Sequence, residues 1–353
     1  HPNLQDALTR AGGNDRIWIA GGTYYPDEGA SVTAGDRTAR FNIPGANDGI
    51  QLYGGFEGTE TALGDRDVRA NETVLSGDVN QSGTLAGNSY TVIAMQGEGV
   101  SAPITAATTL ADLTITAGNA NGTGLLQERG AGLYCDGSGA GNACSPTLRN
   151  VVFANHAAGF GGAALYNDGR NGGTASPQIE GGLFTGNTAA VNGGAIYNYG
   201  RGGASSPTIV NTTFAGNEAG THGGAMYNYA YTNGVADLTI SNTIWHGNIA
   251  DGNGSGTGLG EQIYNDGAEA VLNFRYSLFE GTGGDVESVN GARARYEDDR
   301  GISVSPIGVS TNVQGDPAFA DAGAPAGSDG QFGTLDVGLR LSGASPVSSQ
   351  GEN

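Results

Sequence analysis

Gly193-Gly194-Ala195-Ile196-Tyr197-Asn198-Tyr199 is followed, after a Gly- and Ser-rich turn, by Thr208-Ile209-Val210-Asn211-Thr212-Thr213-Phe214-Ala215-Gly216-Asn217. Each half carries aliphatic, aromatic and β-branched residues in a short run bounded by glycine, which is the composition of a strand. Neither run is long enough for a helix of useful length.

Working outward, the same positions return. A tyrosine recurs as Tyr134, Tyr166, Tyr197, Tyr227 and Tyr264, at intervals of 32, 31, 30 and 37 residues. An aromatic recurs as Phe153, Phe184, Phe214, Trp245 and Phe279, at intervals of 31, 30, 31 and 34. Ser-Pro pairs fall at Ser145-Pro146, Ser176-Pro177 and Ser206-Pro207. Three markers keeping one period define a structural repeat, and a repeat made of strands and turns stacks coil upon coil. The fold class expected is therefore all-β: a right-handed, single-stranded parallel β-helix, with each strand about 4.8 Å from its counterpart in the next coil.

Strand alternation assigns the faces. Leu165, Ile196, Met226 and Ile263 share one parity, which should point inward, and Asn167, Asn198, Asn228 and Asn265 follow two places later. The second strand repeats the arrangement, with Leu148, Ile179, Ile209 and Ile240 inward and Asn150, Asn211 and Asn242 two places on. Stacked amides can bond along the axis, so both asparagine columns are expected to be structural.

Outside the repeat the pattern is irregular. Leu4 to Ala11 has helical spacing and stops at Gly12-Gly13, as a helix capping the first coil would. Short strands are expected at Ile17–Ala20, Ile50–Tyr53, Thr73–Leu75, Tyr90–Ala94 and Leu113–Ile115, and a last one at Leu339–Leu341. The organisation expected is one continuous solenoid: cap and irregular coils over 1–129, regular coils over 130–280, and irregular coils over 281–353.

Composition narrows the function. The 353 residues hold 65 glycines without a Gly-X-Y period, which excludes collagen. All 15 basic residues are arginine, and the net charge of −20 disfavours a nucleic-acid partner. No apolar run reaches the length of a membrane span. The chain begins at His1, so a processed or truncated form is expected, and the lack of a signal peptide says nothing about secretion. Cys135 and Cys144 flank a flexible loop and are expected to form a disulfide in an oxidising compartment, two free thiols being the alternative.

The paired motifs Gly193-Gly194-Ala195-Ile196 and Gly223-Gly224-Ala225-Met226, with Phe184 to Asn187 and Phe214 to Asn217, resemble the repeats of chlamydial polymorphic outer membrane proteins. They are also similar to the β-helical part of bacterial "choice-of-anchor Q" domain proteins, whose opening and closing segments resemble Leu52-Tyr53-Gly54-Gly55-Phe56 and Gly343-Ala344-Ser345-Pro346. Trp245 to Asn248 keeps the second motif, Gly161-Gly162-Ala163-Ala164 is degenerate, and Phe153 to Asn155 is one residue short. The resemblance implies a secreted or surface-displayed β-helix of adhesive or unknown role, and names no reaction.

The candidate site lies on the outward parity of the first strand. It carries Tyr134, Tyr166, Tyr197, Tyr227 and Tyr264, with Asp136, Asp168, Tyr199, Tyr229 and Asp266 two residues on. Five stacked tyrosines would span about 19 Å, a strip suited to sugar rings or to a protein partner; an aromatic ladder that only stabilises the sheet, or lies beneath a loop, is the alternative. Arg170 and Arg201 stand at equivalent positions beside the strip and could pair with uronate carboxylates.

The reading preferred is a secreted or cell-surface protein that binds a glycan, a surface protein or another copy of itself. A carbohydrate-active enzyme is the runner-up. As a hydrolase it would use Asp136 and Asp168 on adjacent coils, and as a lyase it would need a base other than the missing lysine. A spacer or filament subunit is a third reading. His156, His222 and His246 are isolated and read as ordinary turn residues. No cofactor is expected; calcium is retained only as a candidate ion for the Asp65-Arg66-Asp67 and Glu297-Asp298-Asp299 clusters, which match no known calcium loop.

Overall fold

A computed structural model describes residues 1–97, 102–251, 262–279 and 286–295, together with the backbone of 296–297, 303–304 and 313–314. It is a parallel β-helix with a short helix, Leu4–Arg10, over its first coil. Leu4 and Leu8 of that helix are buried against the core. The expected strand Leu339–Leu341 lies outside the described residues, as does most of 281–353.

Each regular coil contributes to three sheets. The first, which we call the tyrosine sheet, contains Leu133–Asp136, Leu165–Asp168, Ile196–Tyr199, Met226–Tyr229 and Ile263–Asp266, in parallel and in register. It continues through Ile93–Gln96 to Phe41–Pro44 at one end and to Val286–Val289 at the other. The strand expected at Tyr90–Ala94 is thus displaced to Ile93–Gln96. The second sheet holds a pair of short strands per coil, such as Thr208–Val210 and Thr213–Ala215. The third is narrow, with strands of two residues such as Thr188–Ala189 and Glu218–Ala219.

The interior is built from columns. Leu165, Ile196, Met226 and Ile263 are fully buried, and so are the four asparagines two places later. Leu148, Ile179, Ile209 and Ile240 form the facing aliphatic column. Between them Phe153, Phe184, Phe214, Trp245 and Phe279 stack with ring centroids 5.0, 4.8, 4.2 and 5.9 Å apart. Offset aromatic stacks at such spacings add to what burial of the rings already contributes. Cys135 and Cys144 are joined by a disulfide inside this core.

The second asparagine column departs from expectation in its burial, although Asn242 Nδ2 donates to Asn211 Oδ1 at 3.1 Å along the axis. Asn150, Asn211 and Asn242 are exposed, with φ of 51, 53 and 51°. They sit at the corner between the paired strands of the second sheet, where the backbone turns left-handed and the strand parity resets. Asparagine tolerates that conformation better than most residues.

The continuous buried ladder is instead Asn187, Asn217 and Asn248. Asn187 Nδ2 donates to Asn217 Oδ1 at 2.8 Å, and Asn217 Nδ2 to Asn248 Oδ1 at 2.7 Å. Each amide also donates to the carbonyl of the aromatic residue one coil earlier, at 2.9–3.0 Å, and accepts the backbone N–H of the coil before. Every polar group at this inner corner is therefore paired, which is the condition for burying it.

Candidate functional site

The glycine pair of the repeat creates the outer face of the tyrosine sheet. Gly193 has φ 62°, and a Cβ there would lie 2.3 Å from the Ile196 carbonyl oxygen. Only glycine accepts both the left-handed backbone and the contact. Strand register places Gly130, Gly162 and Gly223 at the same point, each also left-handed. The motif in the second regular coil is accordingly Gly162-Ala163-Ala164-Leu165, one residue later than the sequence reading placed it. The tight turn delivers the chain into the strand three residues later, with the tyrosine pointing away from the core.

The tyrosines form the column expected. Successive rings from Tyr134 to Tyr264 lie 5.4, 5.0, 4.8 and 5.3 Å apart between centroids. Their exposure does not match the expectation of an open strip: Tyr134, Tyr166, Tyr197 and Tyr227 are only 1, 0, 4 and 5% exposed. Leu126, Phe160 and the flanking Tyr199 and Tyr229 pack over them. Leu126 belongs to a short helix, Leu125–Glu128, in a segment outside the repeat. Arg129 closes the same edge, with its guanidinium 4.3 Å from the Phe160 ring centre and a hydrogen bond of 3.4 Å to the Tyr166 hydroxyl. The column is a second, external hydrophobic core.

Two carboxylates terminate hydrogen bonds from this core. The Tyr134 hydroxyl donates to Asp168 Oδ2 at 2.6 Å, and the Tyr227 hydroxyl to Asp266 Oδ2 at 2.8 Å. In both pairs the acid stands one coil beyond the tyrosine. Asp168 is fully buried; Arg170 pairs with it at 3.0 Å and the Arg170 backbone N–H reaches its other oxygen at 3.4 Å. Burial raises the Asp168 pKa, against the lowering effects of Tyr134 and Arg170. Burial likewise raises the phenol pKa of Tyr134, with the Asp168 charge reinforcing it.

The hydrolase pair of the runner-up reading is thus tied into the fold. Asp168 has its oxygens engaged, and Asp136 accepts the Ser138 backbone N–H and hydroxyl at 3.0 and 2.7 Å in a local turn. Two grooves, of about 350 and 470 Å³, lie at the N-terminal end of the solenoid, around Gly21 to Val74 and around the Leu4–Arg10 helix. Neither is lined by the tyrosine column or by Asp168.

What remains accessible is a shorter strip. Tyr199, Tyr229 and Tyr231 are half-buried, with centroids 5.4 Å apart from Tyr199 to Tyr229 and 4.8 Å from Tyr229 to Tyr231. Arg170 lies 5.6 Å from the Tyr199 ring centre while paired to Asp168, and Arg201 is exposed near Tyr229, whose phenol pKa is raised by burial against the lowering effect of the Arg201 charge. Tyr264 is half-buried and stacks on His222 at 4.1 Å. Tyr231, which the sequence reading did not single out, donates its hydroxyl to Asp266 at 2.8 Å. Its signal was available: it stands four residues after Tyr227, where Arg170 and Arg201 stand after Tyr166 and Tyr197.

The remaining candidates have structural partners. His156 is buried among backbone groups and His222 lies against the tyrosines. Asp65 and Asp67 accept backbone N–H groups of their own turns, and Arg66 pairs with Asp112. The side chains of Glu297, Asp298 and Asp299 lie outside the described residues. Among the described residues no three acidic, histidine or cysteine side chains cluster as a metal would require, and no helix is long and apolar enough to cross a membrane. No protein-family model, curated protein or solved structure matches the chain.

Proposed function

We propose that this β-helix is a non-enzymatic binding protein of the cell exterior, and that Tyr199, Tyr229 and Tyr231, with Arg201 beside them, form its ligand platform. The observation that carries this reading is the row of three half-exposed phenol rings, 4.8–5.4 Å apart, lying outside the buried rings of Tyr134, Tyr166, Tyr197 and Tyr227. Burying Tyr134, Tyr166, Tyr197 and Tyr227 beneath this row fixes the backbone under it, so little ordering is required when a ligand arrives. Tyrosine offers a flat apolar face with a polar tip, which suits a sugar ring, and an exposed guanidinium suits an acidic sugar. A glycan bearing carboxylate groups is the ligand we favour. The buried disulfide and the resemblance to surface-displayed repeats support a location outside the cell.

Retention on an array of neutral and acidic glycans tests this. Wild type should be retained on uronate-containing oligosaccharides, with loss in Tyr229→Ala and weakening in Arg201→Ala, each measured at a temperature where circular dichroism shows the variant folded. Retention that survives both substitutions sinks the proposal. Release of sugar fragments by the purified protein, abolished in Asp168→Asn, would establish the enzyme instead.

A further inference from the structure

The same surface row has chemistry that does not depend on any ligand. We propose that Tyr199 and Tyr229 are an oxidative cross-linking site, at which two phenols couple to a dityrosine that ties successive coils together on the outside of the cylinder.

Three observations place the two rings for this. Tyr199 and Tyr229 are direct partners in the parallel register, so the sheet itself holds their backbones one strand spacing apart. Their ring centroids are 5.4 Å apart and the planes are inclined by 45°. This is a splayed arrangement, in which a carbon beside one hydroxyl can swing against its counterpart by side-chain rotation alone. Both rings are half-exposed, whereas Tyr166, Tyr197 and Tyr227 beneath them are covered, so a dissolved oxidant meets the outer pair first. Tyr231 is nearer to Tyr229, at 4.8 Å, but its hydroxyl is tied to Asp266 and the ring is held by that bond.

The reaction balances with a peroxide as oxidant and a haem peroxidase as its carrier. Each phenol gives up one electron and its hydroxyl proton. The two radicals join through one carbon–carbon bond between positions ortho to oxygen, and the ring hydrogens displaced there move to the oxygens as aromaticity returns. The peroxide takes up the two electrons and two protons and leaves as two molecules of water. Oxidising conditions already form the Cys135–Cys144 bond. That disulfide joins two points of a single coil inside the core, and the dityrosine would join two coils outside it.

The test is oxidation of the purified protein at high dilution by a haem peroxidase and hydrogen peroxide, followed by trypsin digestion and mass spectrometry. Cleavage after Arg170, Arg201 and Arg275 separates 171–201, which holds Tyr197 and Tyr199, from 202–275, which holds Tyr227, Tyr229, Tyr231 and Tyr264. We expect blue dityrosine fluorescence and a linked pair of these peptides two hydrogen atoms lighter than their sum. The link should vanish in Tyr199→Phe and in Tyr229→Phe, persist in Tyr197→Phe and Tyr231→Phe, and be lost when the chain is unfolded in urea before oxidation. Linkage only between molecules, only within 202–275, or none at all would overturn the assignment. None of these outcomes bears on glycan retention, so the binding reading stands or falls separately.

Discussion

The backbone N–H of His156 donates to Oδ1 of Asn187 at 3.1 Å, and the His156 ring does for its own coil what that asparagine does for the next. Its Nδ1 accepts the Gly118 N–H at 3.0 Å, and Nε2, which must then carry the proton, donates to the Ile115 carbonyl at 2.9 Å. Ile115 is the register partner of Phe153, just as Phe153 is of Phe184. Histidine thus ends the asparagine ladder, using two ring nitrogens in place of an amide.

A neutral ring is required there, and burial lowers the His156 pKa from 6.5 to about 3. The unfolded chain binds the proton more readily, so stability is complete above 6.5 and is lost as pH falls through the window between these values. His156→Asn should keep the hydrogen bonds and remove this dependence. At one pKa unit per 1.36 kcal/mol, wild type should lose about 4 to 5 kcal/mol relative to the variant across the window. Urea unfolding at a series of pH values checks it, and parallel curves for the two proteins would refute it.

The Tyr134–Asp168 bond predicts the opposite sign. Burial raises the Asp168 pKa above its ordinary 3.8, so the folded state holds the proton more tightly and stability falls as pH rises from 3.8 through the folded value. Asp168→Asn should flatten that descent while still accepting the Tyr134 hydroxyl. Tyr134→Phe should cost about 2 kcal/mol, by removing a donor from a buried carboxylate, and should push the descent to higher pH. A Tyr134→Phe protein as stable as wild type at neutral pH would show that the bond contributes nothing.

Two asparagines per coil should differ sharply. Asn217→Ala removes two donated bonds and leaves one N–H of the Asn187 amide and the Asn187 backbone N–H without an acceptor, so a loss of about 3 kcal/mol or more is expected. Asn211→Gly keeps the left-handed corner and loses only an exposed bond from Asn242, so it should lie within about 0.5 kcal/mol of wild type. Equal losses from chemical denaturation would contradict the assignment of ladder and corner.

Glycines separate in the same way. Gly216 has φ 61° with nothing within 4 Å of a Cβ, so Gly216→Ala should cost only the left-handed strain, about 1 to 2 kcal/mol. Gly193→Ala adds a clash with the Ile196 carbonyl and should unfold at clearly lower denaturant. Indistinguishable midpoints for the two variants would reject the steric account.

The columns were legible in the sequence because a repeat fixes them: Ile196 must lie over Leu165 if the coil closes in 31 residues. The tyrosines' burial was not legible, because part of the cover comes from Leu126, outside the repeat, and from Phe160, whose counterparts in the next coils, Val191 and Thr221, are not aromatic. The exposure of the second asparagine column was not legible for a different reason. Counting alternate residues from Ile209 to Asn211 assumes an unbroken strand, and the left-handed turn at Asn211 breaks it. Phe153 to Asn155 was likewise a shift of role: Asn155 takes the left-handed corner that Gly186 and Gly216 occupy in later coils, and His156 takes the ladder place.

The corner residues Asn150, Gly181, Asn211 and Asn242 are separated by 31, 30 and 31 residues, and the strands beside them pair with those of the coils on either side. Excising the segment between Gly181 and Asn211 would let Asn150's coil meet the later one with the same stacking surfaces. The molecule is in that respect modular along its axis: gene duplication or deletion of one period changes its reach by a single strand spacing and leaves its cross-section intact.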